Sequence, residues 1–141
     1  MTETQKAYTA GFFDGEGCVI LRLNPRRGGV VETWIEFAQS NKAILDQIRE
    51  WIGDGRWAKS KQPGYDRTCW KLQLSGKAYV PILELLLPYL IVKKRQAELA
   101  LAFQSCPWRK EPNSGHVKRN DWQKRIDAWF TRESKRLKQV A

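Results

Sequence analysis

Apolar and polar residues alternate with a period of two in several stretches of the chain, the pattern of strands that bury one face. The basic, glycine-rich run 25–29 separates the first two stretches and predicts a hairpin turn, and Pro63-Gly64 joins a second pair. The four predicted strands cover residues 18–24, 30–39, 56–61 and 66–75. We therefore expect a sheet that packs on one side only and leaves its polar side outside.

Helical signals stand before, between and after these strand pairs. Residues 7–16 form a short apolar and glycine-containing segment directly before the first strand. Asn41 can cap a helix with apolar residues on one face, and Gly53 can end it. A helical region reaches Leu87 from Ser75 or Gly76 with Pro81 in its first turns, and another helix covers residues 93–104.

The composition indicates a packed domain with a polyanionic partner. Of the 141 residues, 42% are apolar and seven are tryptophan, which favours a globular domain over a disordered chain. With 25 basic and 15 acidic residues the net charge is +10, so nucleic acid is the favoured partner. A soluble cationic protein without such a partner is the alternative.

Targeting and metal-binding signals are sparse in the sequence. The longest apolar run, residues 80–92, is interrupted by Pro81, Glu84 and Pro88 and predicts no membrane span. The first residues have no apolar signal core, so we expect an intracellular protein, in a bacterial, phage or archaeal cytoplasm or in an organelle. Three scattered cysteines and one histidine suggest neither a zinc site nor a disulfide framework.

Small residues recur every four positions in the first helix, at Ala7, Gly11 and Gly15, and therefore share one face. A face with almost no side chains lets a second helix approach closely. Glu16 follows this face, so two such helices would bring two carboxylates together. Carboxylates at that distance need a cation between them or one shared proton, which predicts a shared metal site at a helix seam.

Residues 9–17, TAGFFDGEG, resemble the motif of the LAGLIDADG homing endonucleases, with Thr9 in place of the usual leucine and Glu16 in place of the commoner aspartate. The segment 86–97, LLPYLIVKKRQA, resembles a second recurrent stretch of that family. The resemblance implies an α+β fold, the α-β-β-α-β-β-α core with a curved antiparallel DNA-binding sheet. It implies a core domain of residues 1–105, and we expect residues 106–141 to form a basic loop and helix extension of the same domain.

The same resemblance implies a site-specific double-stranded DNA endonuclease associated with an intron or intein. Because the chain carries a single motif, it implies a homodimer that cuts a long, near-palindromic target and leaves a staggered break. Phosphodiester hydrolysis would depend on Mg²⁺, with Mn²⁺ as an alternative ion. The motif helices would meet along Ala7, Ala10, Gly11, Asp14 and Gly15.

The resemblance also assigns catalytic roles. Glu16 is the expected metal ligand, whereas Asp14 is expected to brace the helix end. Gln39 would orient the attacking water and Lys93 would stabilise charge on the phosphate. The alternatives are that Gln39 caps the helix near Asn41 and that Lys93 is merely solvated.

The polar strand faces and turns would form the DNA-binding surface, since a two-stranded ribbon can enter the major groove. Solvent-facing strands of any function show similar alternation, so the assignment of this surface to DNA binding depends on the motif. The expected DNA-binding residues are Arg22, Asn24, Arg26, Arg27, Glu32, Trp34, Glu36, Arg56, Lys61, Arg67, Lys71 and Gln73.

Residues 106–141 lie beyond the resemblance and hold ten basic and four acidic residues. Pro107, Pro112, Asn113 and Gly115 predict a loop. A last helix is expected to begin with Asp121 as its cap and to carry Trp122, Ile126, Trp129 and Phe130 on one face. This helix either has a solvated basic face or adds contacts to the nucleic acid backbone.

Two functions from the binding class compete with the endonuclease. One is an intron maturase, which would use the basic surface to bind RNA, and the other is a DNA-binding regulator that does not cut. The intact acids at the motif end favour the endonuclease. Substitution of Glu16 by Gln should abolish function only in the endonuclease.

Overall fold

A computed structural model of the protein describes residues 1–61, 63–64, 66–110 and 119–140. The predicted loop residues Pro112, Asn113 and Gly115 lie outside this part of the chain, and Pro107 begins a short helix instead of a loop. The elements are α1 (Glu3–Glu16), β1 (Gly17–Asn24), β2 (Val30–Gln39), α2 (Lys42–Ile52), β3 (Arg56–Lys61), β4 (Thr68–Ser75), α3 (Tyr79–Leu86), α4 (Lys94–Ser105), α5 (Pro107–Lys110) and α6 (Asp121–Val140).

The four strands form one open antiparallel sheet in the order β1-β2-β4-β3. The two hairpins meet where β2 pairs with β4, from Trp34 opposite Ser75 to Gln39 opposite Trp70. The helices cover one side of the sheet, as the alternation predicted. The α+β fold with an antiparallel sheet is confirmed.

The core lies between the sheet and the helices. Ile35 and Phe37 of β2 and Leu72 of β4 are fully buried, together with Phe13 from α1. Leu23, which the alternation places on the apolar side, is 47% exposed at the hairpin end of β1. Other large residues that are almost fully buried include Val19, Val31, Leu45, Ile48, Leu74, Tyr79, Leu83, Leu86 and Phe103.

The predicted start and end of α2 are confirmed. The side-chain oxygen of Asn41 accepts a hydrogen bond from Ala43 N at 3.1 Å, and Gly53 ends the helix with φ +79°. Pro81 lies in the first turn of α3, where a missing N–H removes no intrahelical hydrogen bond.

The start of α6 differs from the expectation by one residue. Asn120, not Asp121, is the cap, since its side-chain oxygen accepts from Gln123 N at 2.8 Å and its own N–H donates to the Gln123 side chain at 3.0 Å. The expected apolar face is also wrong in part, because Trp122 is 63% and Trp129 49% exposed.

The buried side of α6 is partly polar and packs on α4 and β1. Asp127 and Ser134 are buried there beside Phe130. The Asp127 carboxylate accepts a hydrogen bond from Trp108 Nε1 at 3.1 Å, which explains how a carboxylate can lie in this position. In the part of the chain that the structure describes, no helix combines the length and the apolar character needed to cross a membrane.

Candidate functional site

The small-residue face of α1 is open to solvent in the single chain. Ala7, Gly11 and Gly15 are exposed, and a Cβ atom added at Gly11 or Gly15 would meet no atom within 4 Å. Ala10 does not belong to this face, because it is fully buried in the core. The expectation that Ala10 lies in a dimer interface is therefore corrected.

Exposed apolar residues lie beside this face at the C-terminal end of α1. Ile91 is 85% and Val92 56% exposed in the segment between α3 and α4. The Asp14 carboxylate holds this segment against the helix, accepting hydrogen bonds from Ile91 N at 2.8 Å and from Lys93 N at 2.9 Å. Asp14 thus braces the helix end, which is the role expected of it.

The side chain of Lys93 points to the same helix end. Its Nζ donates a hydrogen bond to the backbone carbonyl of Asp14, two residues before Glu16. A cation at the C-terminus of a helix interacts favourably with the helix dipole. The Lys93 side chain is half-buried and hydrogen-bonded to this carbonyl, so it is not merely solvated.

Glu16 is the last residue of α1 and is exposed. Within the described residues its carboxylate has no hydrogen-bond or ion-pair partner, so it is available to a ligand. It lines a cavity of about 290 Å³ together with Gln39 and Arg67. Ala38 and Cys69 line the same cavity from β2 and β4, so Glu16 lies at the ends of the two central strands.

Gln39 takes a local partner that the sequence did not indicate. Its side-chain oxygen accepts hydrogen bonds from the backbone N of Ser40 at 2.8 Å and from Ser40 Oγ at 3.2 Å. Since Asn41 caps α2, Gln39 does not have that role. Gln39 lines the same cavity as Glu16.

Among the described residues, no group of three His, Cys, Asp or Glu could hold a metal ion. One chain therefore offers Glu16 as a single carboxylate rather than a complete metal site. A single carboxylate is not a complete ligand set for a divalent cation.

The strand register gathers the predicted DNA-binding side chains on the uncovered side of the sheet, here called the polar face. Lys61 is an exception, because it pairs with Thr68 and shares the side of Trp70 and Leu72, so its assignment is corrected. Arg26 lies in the turn between β1 and β2, and Arg67 precedes β4. The residues on the polar face are Cys18, Ile20, Arg22 and Asn24 of β1, Glu32, Trp34, Glu36 and Ala38 of β2, Arg56, Ala58 and Ser60 of β3, and Cys69, Lys71, Gln73 and Ser75 of β4.

Glu32 organises the hairpin end of the polar face. Its carboxylate accepts from Asn24 Nδ2 at 2.9 Å and from Arg22 at 3.2 Å, and Arg27 lies 3.5 Å away. The hydrogen bond from Asn24 is the main cause that lowers the pKa of Glu32 below its ordinary value, with Arg22 adding to it. Arg22 also lies over the Trp34 ring, 5.2 Å from its centroid.

Glu36 holds the centre of the polar face. Its oxygens accept hydrogen bonds from Lys71 at 3.1 Å, Gln73 at 3.0 Å and Trp34 at 3.3 Å. Burial alone would raise the pKa of Glu36, but these hydrogen bonds outweigh it and hold the pKa below its ordinary value. Since Glu36 is only 9% exposed and its oxygens are occupied, the expectation that it contacts DNA directly is corrected.

A cavity of about 510 Å³ opens on the polar face near the hairpin end. Its basic lining residues are Arg22, Arg27, Arg56 and Arg109. Sequence reasoning missed Arg109, which donates to the backbone carbonyl of Val31 at 3.0 Å. No local pattern could identify it, because it reaches β2 from the extension after α4.

No family model and no curated protein match this sequence. Solved structures do match. The homing endonuclease I-CvuI, in complex with the I-CreI target in Mg²⁺ with the DNA uncleaved, is 24% identical with a TM-score of 0.71 and alignment over 96% of this chain and 82% of that one. I-CvuI with its own target in Ca²⁺ gives 25% identity, a TM-score of 0.70 and coverage of 95% and 82%.

An archaeal intron-encoded homing endonuclease, I-Vdi141I, in complex with DNA, is 20% identical with a TM-score of 0.66, and the alignment covers 96% of this chain and 84% of that one. LAGLIDADG meganucleases bound to DNA also match, with lower TM-scores. The resemblance drawn from residues 9–17 is confirmed by this shared fold.

Proposed function

Because this chain has the fold and the motif of the LAGLIDADG homing endonucleases, we propose that it is a site-specific endonuclease of double-stranded DNA. One observation carries the proposal: the open glycine face of α1 ends at an exposed carboxylate, Glu16, which has no partner among the described residues and lies where the central strands of the polar face end. This arrangement combines a surface for close assembly, a ligand for a cation and a basic surface for a polyanion.

The proposed active form is a homodimer. Gly11 and Gly15 allow a second α1 to approach closely, and the exposed Ile91 and Val92 supply apolar surface beside them. A two-fold axis along this seam would place the same polar face on two halves of a target. The dimer would therefore cut a long, near-palindromic site and leave a staggered break.

The two Glu16 carboxylates would hold Mg²⁺ or a similar divalent ion at the seam. When bound, such an ion neutralises charge on the scissile phosphate and lowers the pKa of bound water. Lys93 contributes a cation fixed at the helix end, and Gln39 lines the same cavity as Glu16, where its amide would orient a water molecule. Asp14 keeps the helix end and the Lys93 segment together.

The test is cleavage of a long randomised duplex library in Mg²⁺, with the fragments identified by sequencing. Wild type should produce discrete cut sequences, whereas Glu16→Gln should bind the same sequences without cutting them. Glu84→Gln is a matched control, because Glu84 is an exposed carboxylate on α3 and should leave cleavage unchanged.

Other outcomes would contradict the proposal. Duplex binding without cleavage by wild type would indicate a DNA-binding regulator. Weak binding of duplex together with tight binding of structured RNA would indicate a maturase. Cleavage that survives Glu16→Gln would show that another residue supplies the catalytic carboxylate.

A further inference from the structure

Glu36 lies at the centre of the polar face and yet is almost completely buried. Its residue exposure is 9%, and in the register it stands between Cys18 of β1 and Gln73 of β4. A carboxylate in such a position needs hydrogen bonds to compensate for the loss of water. Its partners are therefore informative about what the surrounding side chains can do.

All three partners of Glu36 belong to the polar face. Lys71 Nζ donates to Oε1, and Gln73 Nε2 and Trp34 Nε1 both donate to Oε2. Lys71 and Gln73 are only half-buried, so both remain in reach of a ligand. Glu36 thus lies beneath two accessible polar side chains and accepts a hydrogen bond from each of them.

This contact determines the orientation of the Gln73 amide. An ionised carboxylate only accepts hydrogen bonds, so the amide must turn its NH₂ group toward Glu36. The amide oxygen and the second N–H are left for a ligand. One acceptor beside one donor is the pattern that a glutamine uses to bind the N6 and N7 atoms of adenine.

We infer that Glu36 is a positioning residue that sets the base preference of Gln73, by fixing the amide so that it selects adenine at the base pair it faces. This inference rests on the proposed function. Without the carboxylate the amide can present either end, and the preference for adenine weakens. In this role the Glu36 carboxylate of the wild-type protein makes no contact with DNA itself.

The test is a competition among targets that differ at one base pair, with relative kcat/KM obtained by sequencing the cut products. Gln73→Ala first identifies the position that Gln73 contacts, as the position where the preference for adenine is lost. A good bidentate contact discriminates about 5- to 150-fold. Glu36→Gln should reduce the preference at that position at least about fivefold and leave unchanged the positions that neither Gln73 nor Lys71 reaches.

Glu32→Gln is the matched control. It removes a carboxylate from the same strand and the same face, but Glu32 contacts Asn24 and Arg22 instead of Gln73. It should change the preference only at the positions that Glu32, Arg22 and Asn24 reach, and leave the preference at the Gln73 position as in wild type. In the double variant Glu36→Gln with Gln73→Ala, the Glu36 substitution should add no further change at that position.

The outcomes separate the inference from the proposed function. If Glu36→Gln lowers cleavage of all targets equally, Glu36 has only a structural role and the inference is wrong while the proposed function stands. If wild type cuts no target, the proposed function fails and this inference fails with it.

Discussion

At the scale of single residues, Asp14 shows how one side chain can hold two elements together. Its two carboxylate oxygens accept from two backbone amides, Ile91 N and Lys93 N, in the segment that leads into α4. The same segment directs the Lys93 side chain back to the Asp14 carbonyl. The end of α1 and the beginning of α4 are thus joined at the position of the proposed catalytic carboxylate.

We predict that Asp14→Asn lowers the free energy of unfolding by about 1 to 2 kcal/mol, because an amide offers one acceptor oxygen where the carboxylate offers two. Urea unfolding followed by circular dichroism measures the change. The matched control is Asp46→Asn on α2, whose exposed pair with Lys42 should contribute about 1 kcal/mol or less. Equal losses in the two variants would show that Asp14 is an ordinary surface carboxylate.

The sequence could predict that Glu32 and Glu36 share a face but not that their partners differ. Both alternate with apolar residues in one strand, and the alternation is local information. Two of the three partners of Glu36, Lys71 and Gln73, come from β4, more than thirty residues later, and only the pairing of β2 with β4 brings them together. Lys61 was assigned to the wrong side of the sheet, because the side on which each β3 residue lies follows from the register of β3 with β4.

At the scale of elements, prediction succeeded where the determining signals were local. The turn before β2, the cap at Asn41 and the end at Gly53 depend on residues within a few positions of one another. The cap of α6 was misplaced because Asn120 and Asp121 are adjacent and are both good capping residues. The faces of α6 were misassigned because this helix buries a carboxylate, Asp127, whose partner Trp108 lies in another element.

We predict that Asn120→Ala destabilises the protein by about 1 kcal/mol, since it removes the reciprocal hydrogen bonds with Gln123. Asp121→Ala should have a smaller effect, because Asp121 contributes only its charge near the helix N-terminus. Thermal unfolding of both variants beside wild type compares them directly. A larger loss of stability in Asp121→Ala than in Asn120→Ala would show that Asp121 is the cap, as expected from the sequence.

At the scale of the whole molecule, the order β1-β2-β4-β3 was not contained in the local patterns, although the succession of helices and strands was. The chain after α4 packs α6 against β1 and sends Arg109 to the carbonyl of Val31. Such long-range contacts depend on the complete fold. The small-residue face of α1, in contrast, was visible in the spacing of Ala7, Gly11 and Gly15.

We predict that Gly11→Leu converts the proposed dimer to a monomer that is still folded. A Cβ atom added at Gly11 meets no atom within 4 Å, and leucine favours a helix over glycine by about 1 kcal/mol, so folding should not suffer. In a seam of closely packed helices the same side chain would separate the partners. Sedimentation velocity gives the mass, and circular dichroism confirms the fold.

Ala43→Leu adds a leucine to another exposed helix position, on α2, and should leave the proposed dimer intact. It separates loss of the seam from a general effect of added apolar surface. A Gly11→Leu protein that sediments as a dimer at the same concentration as wild type would refute this interface.

Glu16 lies at the end of the helix that carries the open glycine face. This position has a consequence for how activity depends on the subunit concentration in the cell. If half of the catalytic centre comes from each chain, active enzyme accumulates with the square of the subunit concentration when the dimer is dilute. A tenfold fall in expression would then lower cutting about a hundredfold. A low subunit concentration would therefore keep most chains monomeric and, on the proposed function, inactive.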